Sequence, residues 1–415
     1  MKKIILLSTI LMSSSVTFAA GYQLQEYSVT GLGRAMAGAG IMGDDYSAPA
    51  FNPAGMGFTE RSGAQLGFIG VDLRSRVKGS QTVQVGHPLI DGTNEGKDFT
   101  HIFRLLPHVF GQYKLNDKAT IGIGLYAPFG LATDYRNNWF ASAQGQYSGI
   151  TAVDLSPSFA YKITDQLTLG AAINLQYAVA HLTGATFDGG WTNMHDADDF
   201  GVGYTVGLTF QPWKTTRFGL SYRSKVNHKL QGKNKMTGGL ITAALTGTHD
   251  VNAKITTPET VILSAAQDIG SKWTLSGTAR WTRWSRFHDL DIYQKGYPRD
   301  GGLLSSVHEH WRNTWFFAVG ADYKYCKNLT FRFGTAYDQT SIKSPKYRTV
   351  RIPDQRRIWT TIGASYQRDN WQLDVGYAHL FVKKAHGEAQ TGFVKTDATW
   401  KTQSNILGLQ FQYKF

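Results

Sequence analysis

Apolar residues along most of this chain occupy every second position. Between residues 167 and 179, Leu167, Leu169 and Ile173 alternate with threonine, glycine and asparagine. Successive side chains of a β-strand point to opposite faces, so such a segment has one apolar face and one polar or small face. The same alternation recurs at 151–163, 200–213 and 371–384. The pattern therefore predicts an all-β chain.

Segments of this kind follow one another almost to the last residue. About fourteen can be distinguished, at 65–77, 102–114, 118–128, 151–163, 166–181, 200–213, 215–226, 252–269, 272–286, 312–326, 328–340, 356–369, 371–384 and 402–415. Their connections alternate between two-residue turns such as Asn116-Asp117 and long loops such as 78–101. Short turns at one end, long loops at the other and an even strand number are typical of outer-membrane barrels. Residues 64–415 are therefore predicted to form a transmembrane antiparallel β-barrel of about 14 strands.

The last segment ends in an aromatic residue. Leu407 and Leu409 alternate with glycine and glutamine, and the chain closes on Phe415. A terminal aromatic on an alternating strand is similar to the signal that the barrel assembly machinery recognises, which makes that machinery an expected partner. Aromatic residues near strand ends, where membrane interfaces favour them, are Trp213, Trp273, Trp359, Trp371 and Tyr413.

The N-terminus predicts export. Lys2 and Lys3 precede a short apolar run over residues 4–12, and small residues follow up to Ala19. A charged start, a short apolar run and a small-residue cleavage site define a signal peptide, here residues 1–19. After residue 20 no stretch approaches the roughly 18 consecutive apolar residues of a membrane-spanning helix. The expected location is the outer membrane of a Gram-negative bacterium.

The chain is strongly basic. It carries 43 Lys and Arg against 30 Asp and Glu, a net charge of +13, which indicates an anionic partner. With 45 glycines, 13% aromatic and only 18% charged residues, the composition favours strands and argues against nucleic acid. Six cations cluster at one long loop and its strand, where lipopolysaccharide phosphates are the expected partner: Lys343, Lys346, Arg348, Arg351, Arg356 and Arg357.

Residues 20–63 lack the strand alternation and contain short glycine-rich and proline-containing motifs. The motifs are Gly31-Leu32-Gly33-Arg34-Ala35, the acidic pair Asp44-Asp45 and Phe51-Asn52-Pro53-Ala54, followed in the barrel by Ala127-Pro128-Phe129-Gly130-Leu131, Ser221-Tyr222-Arg223-Ser224 and Trp284-Ser285-Arg286-Phe287. In this order the motifs resemble the FadL-type outer-membrane transporters of long-chain fatty acids and other hydrophobic compounds. The resemblance covers nearly all of the chain after the signal peptide.

The resemblance implies that residues 20–63 form a hatch, or plug, inside the barrel. It also implies that the long loops capture a fatty acid, which passes the hatch and leaves sideways through a kink in the third strand. That strand contains Gly122, Gly124 and Pro128, which weaken regular pairing. Residues expected to bound the ligand path are Phe51, Asn52, Pro53, Ala54, Met56, Phe68, Phe110, Tyr126, Pro128 and Phe129.

A fatty carboxylate needs a cation. Alternation directs Lys162, Arg280 and Arg332 inward, which makes them candidates, although basic residues of a barrel lumen often serve only networks within the wall. An apolar loop segment at 236–247 is a candidate capture surface or a short amphipathic helix.

No catalytic, cofactor or metal site is predicted. His308-Glu309-His310 places two histidines on one strand face, but the sequence places no third metal ligand beside them. No Gly-x-Ser-x-Gly motif occurs. Gly38-x-Gly40-x-x-Gly43 matches a dinucleotide fingerprint, but it lies outside any strand–helix–strand unit. The expected protein is a monomeric transporter, with an uptake channel for aromatic hydrocarbons as the alternative and an adhesin, a diffusion porin or a barrel hydrolase as weaker ones.

Overall fold

The computed structural model describes residues 21–297 and 302–415, so the predicted signal peptide, residues 1–19, lies outside the described residues. In the described part, antiparallel strands form one sheet. The strands are β1 Gly63–Val83, β2 Gly92–Lys114, β3 Ala119–Asp134, β4 Tyr147–Leu155, β5 Ser158–Lys162, β6 Leu167–Ala185, β7 Trp191–Trp213, β8 Thr216–Arg223, β9 Val226–Thr237, β10 Gly247–Thr257, β11 Thr260–Ile269, β12 Trp273–Thr282, β13 Asp289–Gln294, β14 Leu303–His308, β15 Thr314–Lys324, β16 Leu329–Asp338, β17 Arg357–Arg368, β18 Trp371–Val382, β19 Ala385–Gly387, β20 Gln390–Thr391 and β21 Val394–Lys414.

The sheet closes on itself. Strand β1 pairs with β2 on one side, where Gly63 lies opposite Gln112, and with β21 on the other, where Gly63 lies opposite Lys414. Several barrel strands consist of two segments, such as β4 and β5, so the segments amount to 14 barrel strands. The predicted all-β, 14-stranded barrel is confirmed.

The two faces of the wall follow the alternation of the sequence. In β1, Ile69 and Val71 are buried inside while Leu66 and Phe68 are exposed outside. The outer apolar face is the one that lipid covers in an outer-membrane barrel. Among the predicted interfacial aromatics, Trp213 and Trp273 are exposed. Trp359 is fully buried inside, because the alternation of β17 places it on the same face as the buried Arg357.

Most strands extend further toward the long loops than the hydropathy alternation predicts. The predicted loop 78–101 contains the end of β1 and the start of β2, and only residues 84–91 connect them. The reason is that this part of both strands is polar on both faces, with Ser80 and Lys97 on the outer face and Gln81 and Asp98 on the inner face. The two strands remain paired there, although no apolar alternation in the sequence marks this part of them.

Residues 21–62 form no strand of the sheet, are mostly buried and pack against the inner wall. They contain helix α1, Val29–Gly33, helix α2, Ala48–Phe51, and a 3-10 helix, Pro53–Phe58. Ser28 caps α1, because its Oγ accepts a hydrogen bond from Gly31 N at 2.9 Å. None of the described helices is long and apolar enough to cross a membrane.

The glycine-rich segment between the two helices turns sharply. Gly38 and Gly40 have φ angles of +70° and +73°, in the left-handed region that glycine adopts without steric cost. These glycines therefore let the chain turn back within the lumen, as expected for a hatch and not for a nucleotide-binding turn.

Candidate transport pathway

The wall is interrupted between β2 and β3. The two strands pair only from Val109–Leu125 to Lys114–Thr120. Beyond this point β3 continues to Asp134 paired with β4 alone, and β2 continues paired with β1 alone. The described residues Gly92–His108 of β2 thus have no ladder partner on β3.

The interruption begins where β3 bulges. Tyr126 lies opposite Asp154 and Phe129 lies opposite Ala152, so β3 has one extra residue at Ala127-Pro128. Pro128 has no N–H group to donate to a neighbouring strand, so its position is compatible with the break in strand pairing. The predicted irregularity of the third strand therefore lies at the edge of the gap.

The first residues of the hatch occupy the inner side of this bulge. Leu24 N donates to Pro128 O at 2.8 Å, and Gly130 N donates to Tyr22 O at 2.7 Å. Gln23 forms an isolated antiparallel bridge with Phe129. The backbone of β3 thus exchanges hydrogen bonds with the hatch where it has lost those with β2.

Three of the predicted path residues meet in one aromatic row. The ring of Phe51 lies 4.5 Å from that of Tyr27, Tyr27 lies 4.8 Å from Tyr126, and Tyr126 lies 5.5 Å from Phe110. These centroid distances are those of favourable aromatic contacts. Tyr27, which is not among the predicted path residues, joins Phe51 to Tyr126 and Phe110.

Phe129 belongs to a second aromatic group at the outer side of the hatch. Its ring lies 5.9 Å from Tyr22, and Tyr22 lies 4.7 Å from Trp284. Trp284 in turn packs 5.1 Å from Trp311. The predicted aromatic path residues inside the barrel are therefore divided between two clusters, with Phe51, Phe110 and Tyr126 in one and Phe129 in the other.

An apolar cavity opens beside this second group. Its volume is about 550 Å³, the open mouth included. Its lining consists of Tyr22, Leu131, Ser148, Gly149, Ile150, Ala180, Leu182, Met194, Leu230, Ala253, Ile255, Phe287, Leu290, Glu309, Arg351 and Ile352. None of the predicted path residues lines this cavity. A usable signal existed, because Leu131, Met194 and Leu230 are buried apolar residues of a barrel whose interior is ordinarily polar.

Two ionisable side chains border the cavity. Arg351 Nη1 donates to Ser148 Oγ at 2.8 Å and to the carbonyls of Tyr147 and Thr183. Burial lowers the pKa of Arg351 to about 10, so the guanidinium stays charged at neutral pH. Burial raises the pKa of Glu309 to about 8, against the effect of its hydrogen bonds from Trp311 and Thr349. At neutral pH the cavity therefore has a net cationic border.

A larger space of about 1580 Å³, open to the outside, lies above the cavity. The two share Leu182, Met194, Leu290 and Arg351. The predicted loop segment 236–247 contributes Met236 and Leu245 to this outer vestibule, while Leu240 and Ile241 are exposed. A one-turn 3-10 helix, Ala243–Leu245, stands where a short helix was expected.

The Asn-Pro-Ala motif packs against the wall and does not line the cavity. Asn52 Nδ2 donates to Leu208 O at 3.0 Å, and Asn52 Oδ1 accepts from Ala54 N at 3.1 Å. Pro53 and Ala54 lie against Gly170, where an added Cβ would come within 2.2 Å of Ala54 N. Met56 is buried in a separate small cluster with Ala48 and Ala160. These residues hold the hatch in place.

Phe68 and Lys162 do not join the internal set. Phe68 is 40% exposed on the outer face of β1, since the alternation places Ile69 inside. Lys162 ends β5 on the face of buried Ser158 and Ala160, but its position at the strand end leaves it partly exposed. The prediction of Phe68 as a path residue is therefore corrected.

The other two predicted cations are inside the barrel. Arg332 is bound by carboxylates, with Nη2 at 2.9 Å from Asp44 Oδ2 and Nε at 3.3 Å from Asp322 Oδ2. Arg280 lies over the ring of Phe316, its guanidinium carbon 4.9 Å from the ring centroid. Arg332 thus ties the hatch to the wall, which leaves Arg280 as the internal candidate among the three.

The basic loop of the sequence divides between surface and interior. Lys343, Lys346 and Arg356 are exposed, whereas Arg348 and Arg357 are buried and Arg351 borders the cavity. Arg357 turns inward because it binds Asp354, with Nη2 at 2.5 Å from Oδ1. Only three of the six cations are therefore placed to meet lipopolysaccharide, a contact that stays a prediction.

A closed barrel with an internal N-terminal hatch and a gap beside the third strand has known relatives. The family model described as "Outer membrane protein transport protein (OMPP1/FadL/TodX)" matches residues 10–415. The chain belongs to this family. It is therefore an outer-membrane transporter of hydrophobic compounds in a Gram-negative bacterium, and not an enzyme.

Relatives of known name cover almost the whole chain. Outer membrane protein P1 of Haemophilus influenzae is 28% identical over 99% of this chain and 98% of its own length. A long-chain fatty acid transport protein of Escherichia coli O6:H1 is 26% identical over 97% of this chain and 96% of its own. The crystal structure of a Pseudomonas aeruginosa FadL homologue superimposes with a TM-score of 0.86 at 25% identity, covering 95% of this chain and all of that one.

Proposed function

We propose that this family member takes up long-chain fatty acids. The acid is captured in the outer vestibule, enters the apolar cavity, passes the hatch and leaves sideways through the gap between β2 and β3. The observation that carries the proposal is Arg351, a charged group at the border of a cavity whose other lining is almost wholly apolar. Such a site matches a ligand with one anionic end and a long apolar remainder.

The energetics favour this kind of ligand. Transfer of an acyl chain from water into the cavity gains roughly 0.8 kcal/mol per CH₂ group. Burying the carboxylate costs far more than one such increment unless a cation and hydrogen-bond donors meet it. Arg351 contacts neutral oxygens of Tyr147, Ser148 and Thr183, so its charge is available to an incoming carboxylate. Glu309 opposes binding little at neutral pH, because its raised pKa of about 8 keeps most of it uncharged.

The route from the cavity toward the lipid rests on the bulge of β3. Tyr22 lines the cavity and also accepts the hydrogen bond of Gly130 N. The same short hatch segment therefore borders the cavity and covers the inner edge of the gap. An apolar ligand that displaces this segment meets the open edge of β2, and beyond it the acyl chains of the bilayer. The path avoids the periplasm, where each exposed CH₂ group would be unfavourable.

The experiment compares Arg351→Met with Lys343→Met in cells that lack other copies of the gene. Lys343 is exposed on the same loop and serves as the matched control. Uptake of labelled oleate should fall at least tenfold in the Arg351 variant and stay unchanged in the Lys343 variant. Uptake of labelled toluene tests the alternative substrate class, which has no carboxylate.

The uptake measurements distinguish the fatty-acid proposal from its alternatives. Oleate uptake that is independent of the gene would refute the proposal, and toluene uptake that depends on it would assign the aromatic-hydrocarbon function. Loss of oleate uptake in both variants would exclude Arg351 as the specific carboxylate partner. In that case Arg280→Met, measured in the same uptake assay, tests whether Arg280 beside Phe316 binds the carboxylate.

A further inference from the structure

Three histidines converge on one aspartate at the outer end of the barrel. Asp289 begins β13 and lies opposite His308 in β14. Its Oδ1 is 2.6 Å from His308 Nδ1, and its Oδ2 is 2.7 Å from His288 Nδ1. The third imidazole, that of His310, lies with its ring centroid 3.7 Å from that of His288.

The backbone fixes the positions of these side chains. Glu309 N and His310 N both donate to His288 O, at 2.9 and 2.8 Å. Trp311 N donates to Phe287 O at 3.3 Å. The segment 287–289 and the segment 308–311 are therefore held side by side, although about 20 residues of chain separate them.

The donor atoms lie within reach of a common ion. One ligand atom each from His288, Asp289 and His310 lies within 4.8 Å of the other two. In a tetrahedral zinc site each donor stands about 2.0–2.2 Å from the metal, so the three atoms must draw closer together around the ion. The imidazole of His288 is exposed, and Asp289 and His310 are partly buried. His308 completes the set, either as a fourth ligand or as the donor that orients Asp289.

We propose that His288, Asp289 and His310, supported by His308, form a binding site for a divalent transition-metal ion. Imidazole nitrogen with one carboxylate oxygen is the donor set that Zn²⁺ accepts, and Cu²⁺ and Ni²⁺ favour the same nitrogens. The hard cations Ca²⁺ and Mg²⁺ prefer an all-oxygen set that this cluster does not offer. The proposal is independent of which hydrophobic substrate the barrel carries.

The ion would hold together two segments that border the apolar cavity. Phe287 and Glu309, which line the cavity, are each adjacent in sequence to a proposed ligand. Trp311 follows His310 and packs 4.7 Å from Phe287. Metal binding would thus fasten the two ends of the β13–β14 hairpin to each other beside the cavity.

The described residues contain a second group of donors, which supplies the control. His386, Glu388 and Asp397 also lie within reach of a common ion, but this group has one imidazole and two carboxylates. His386 and His288 are both partly exposed, so alanine at either position disturbs little packing.

The test is calorimetric titration of the full-length protein, purified in detergent and stripped with EDTA, with ZnCl₂. One ion per chain should bind, and His288→Ala and His310→Ala should each weaken binding at least tenfold while His386→Ala leaves it unchanged. Co²⁺ added to the stripped protein should give a visible d–d absorption band that the same two variants lose. Circular dichroism in the β-strand region verifies that each variant is folded.

Three results would contradict the proposed metal site. Absence of zinc binding by the wild-type protein would overturn the proposal and leave a hydrogen-bonded His–Asp–His cluster. Binding that survives both His288→Ala and His310→Ala would overturn it as well. Binding that only His386→Ala abolishes would place the ion at the other group.

Discussion

Arg332 Nη2 on the barrel wall lies 2.9 Å from Asp44 Oδ2 on the hatch. Asp44 also accepts two hydrogen bonds from Arg34, at 2.7 and 2.8 Å, and Asp322 lies 3.1 Å from the same guanidinium. Two buried arginines, buried Asp322 and the partly exposed Asp44 thus form one network between hatch and wall. Of the acidic pair that follows the Gly-Leu-Gly-Arg-Ala motif, Asp44 belongs to this network, whereas Asp45 accepts hydrogen bonds from Ser28, Thr30 and Ser47 within the hatch.

Asp44→Asn should loosen the hatch. The change leaves Arg34 and Arg332 with Asp322 as their remaining carboxylate, and breaking a buried ion pair typically costs about 3 kcal/mol or more. Amide hydrogen exchange should show faster opening of residues 21–62 with barrel amides unchanged. Asp72→Asn, which weakens the exposed pairs of Asp72 with Arg74 and His101 on the outer face of β1, should cost under about 1 kcal/mol and leave the hatch protected. Equal hatch protection in Asp44→Asn and wild type would contradict the expectation.

Gly170→Ala should displace the Asn-Pro-Ala motif. The new Cβ would stand 2.2 Å from Ala54 N, closer than any real contact, so Pro53 and Ala54 must shift. Overpacking of this kind costs about 1–3 kcal/mol, and we expect oleate uptake to fall while barrel assembly persists. Gly277→Ala is the matched control, because there the nearest atom to the Cβ would be 3.6 Å away. If both variants transport like wild type, the contact of the motif with the wall has no part in uptake.

Deletion of Pro128 should close the gap in the wall. The deletion removes the extra residue of the bulge, so β3 can continue straight beside β4 and extend its ladder toward β2. Uptake of oleate should be lost while heat-modifiable migration shows a folded barrel. The control is deletion of Gln211 from the comparable irregularity between Phe210 and Trp213 of β7, far from the gap. A Pro128 deletion that transports normally would exclude exit beside this bulge.

Ala180→Phe should fill the apolar cavity. Ala180 lines the cavity from β6, and a benzyl group there would take up a substantial part of its volume. Binding of every hydrophobic ligand should weaken, with or without a carboxylate, in contrast to the selective effect expected for Arg351→Met. Ala171→Phe places the same ring on the exposed outer face of the same strand and should leave binding unchanged. Ligand affinity measured by fluorescence competition distinguishes the two.

Part of the site could be foreseen, and part could not. Phe110 and Tyr126 are predicted path residues that lie inside, because strand alternation fixes the face of each. Phe129 lies inside as well, but only because the bulge at Ala127-Pro128 shifts the alternation by one residue. Phe68 and Trp359 were assigned wrongly, since an aromatic residue suits the lipid face and the interior equally well and only the register decides. The sequence predicts Arg351 as a surface cation, whereas it borders the internal cavity, because a loop has no periodicity from which the direction of a side chain follows.

The barrel can be predicted from the amino-acid pattern alone, because a strand exposed to lipid on one face must alternate, and this alternation appears in the chain as a period of two. The family can be predicted as well, through short motifs in a characteristic order along the chain. The contacts between distant residues follow only from the folded protein, for example Arg332 with Asp44, Tyr22 with the bulge of β3, and His288 with His310. The physical reason is that these contacts join residues far apart in the chain, and closure of the sheet around the hatch brings them together.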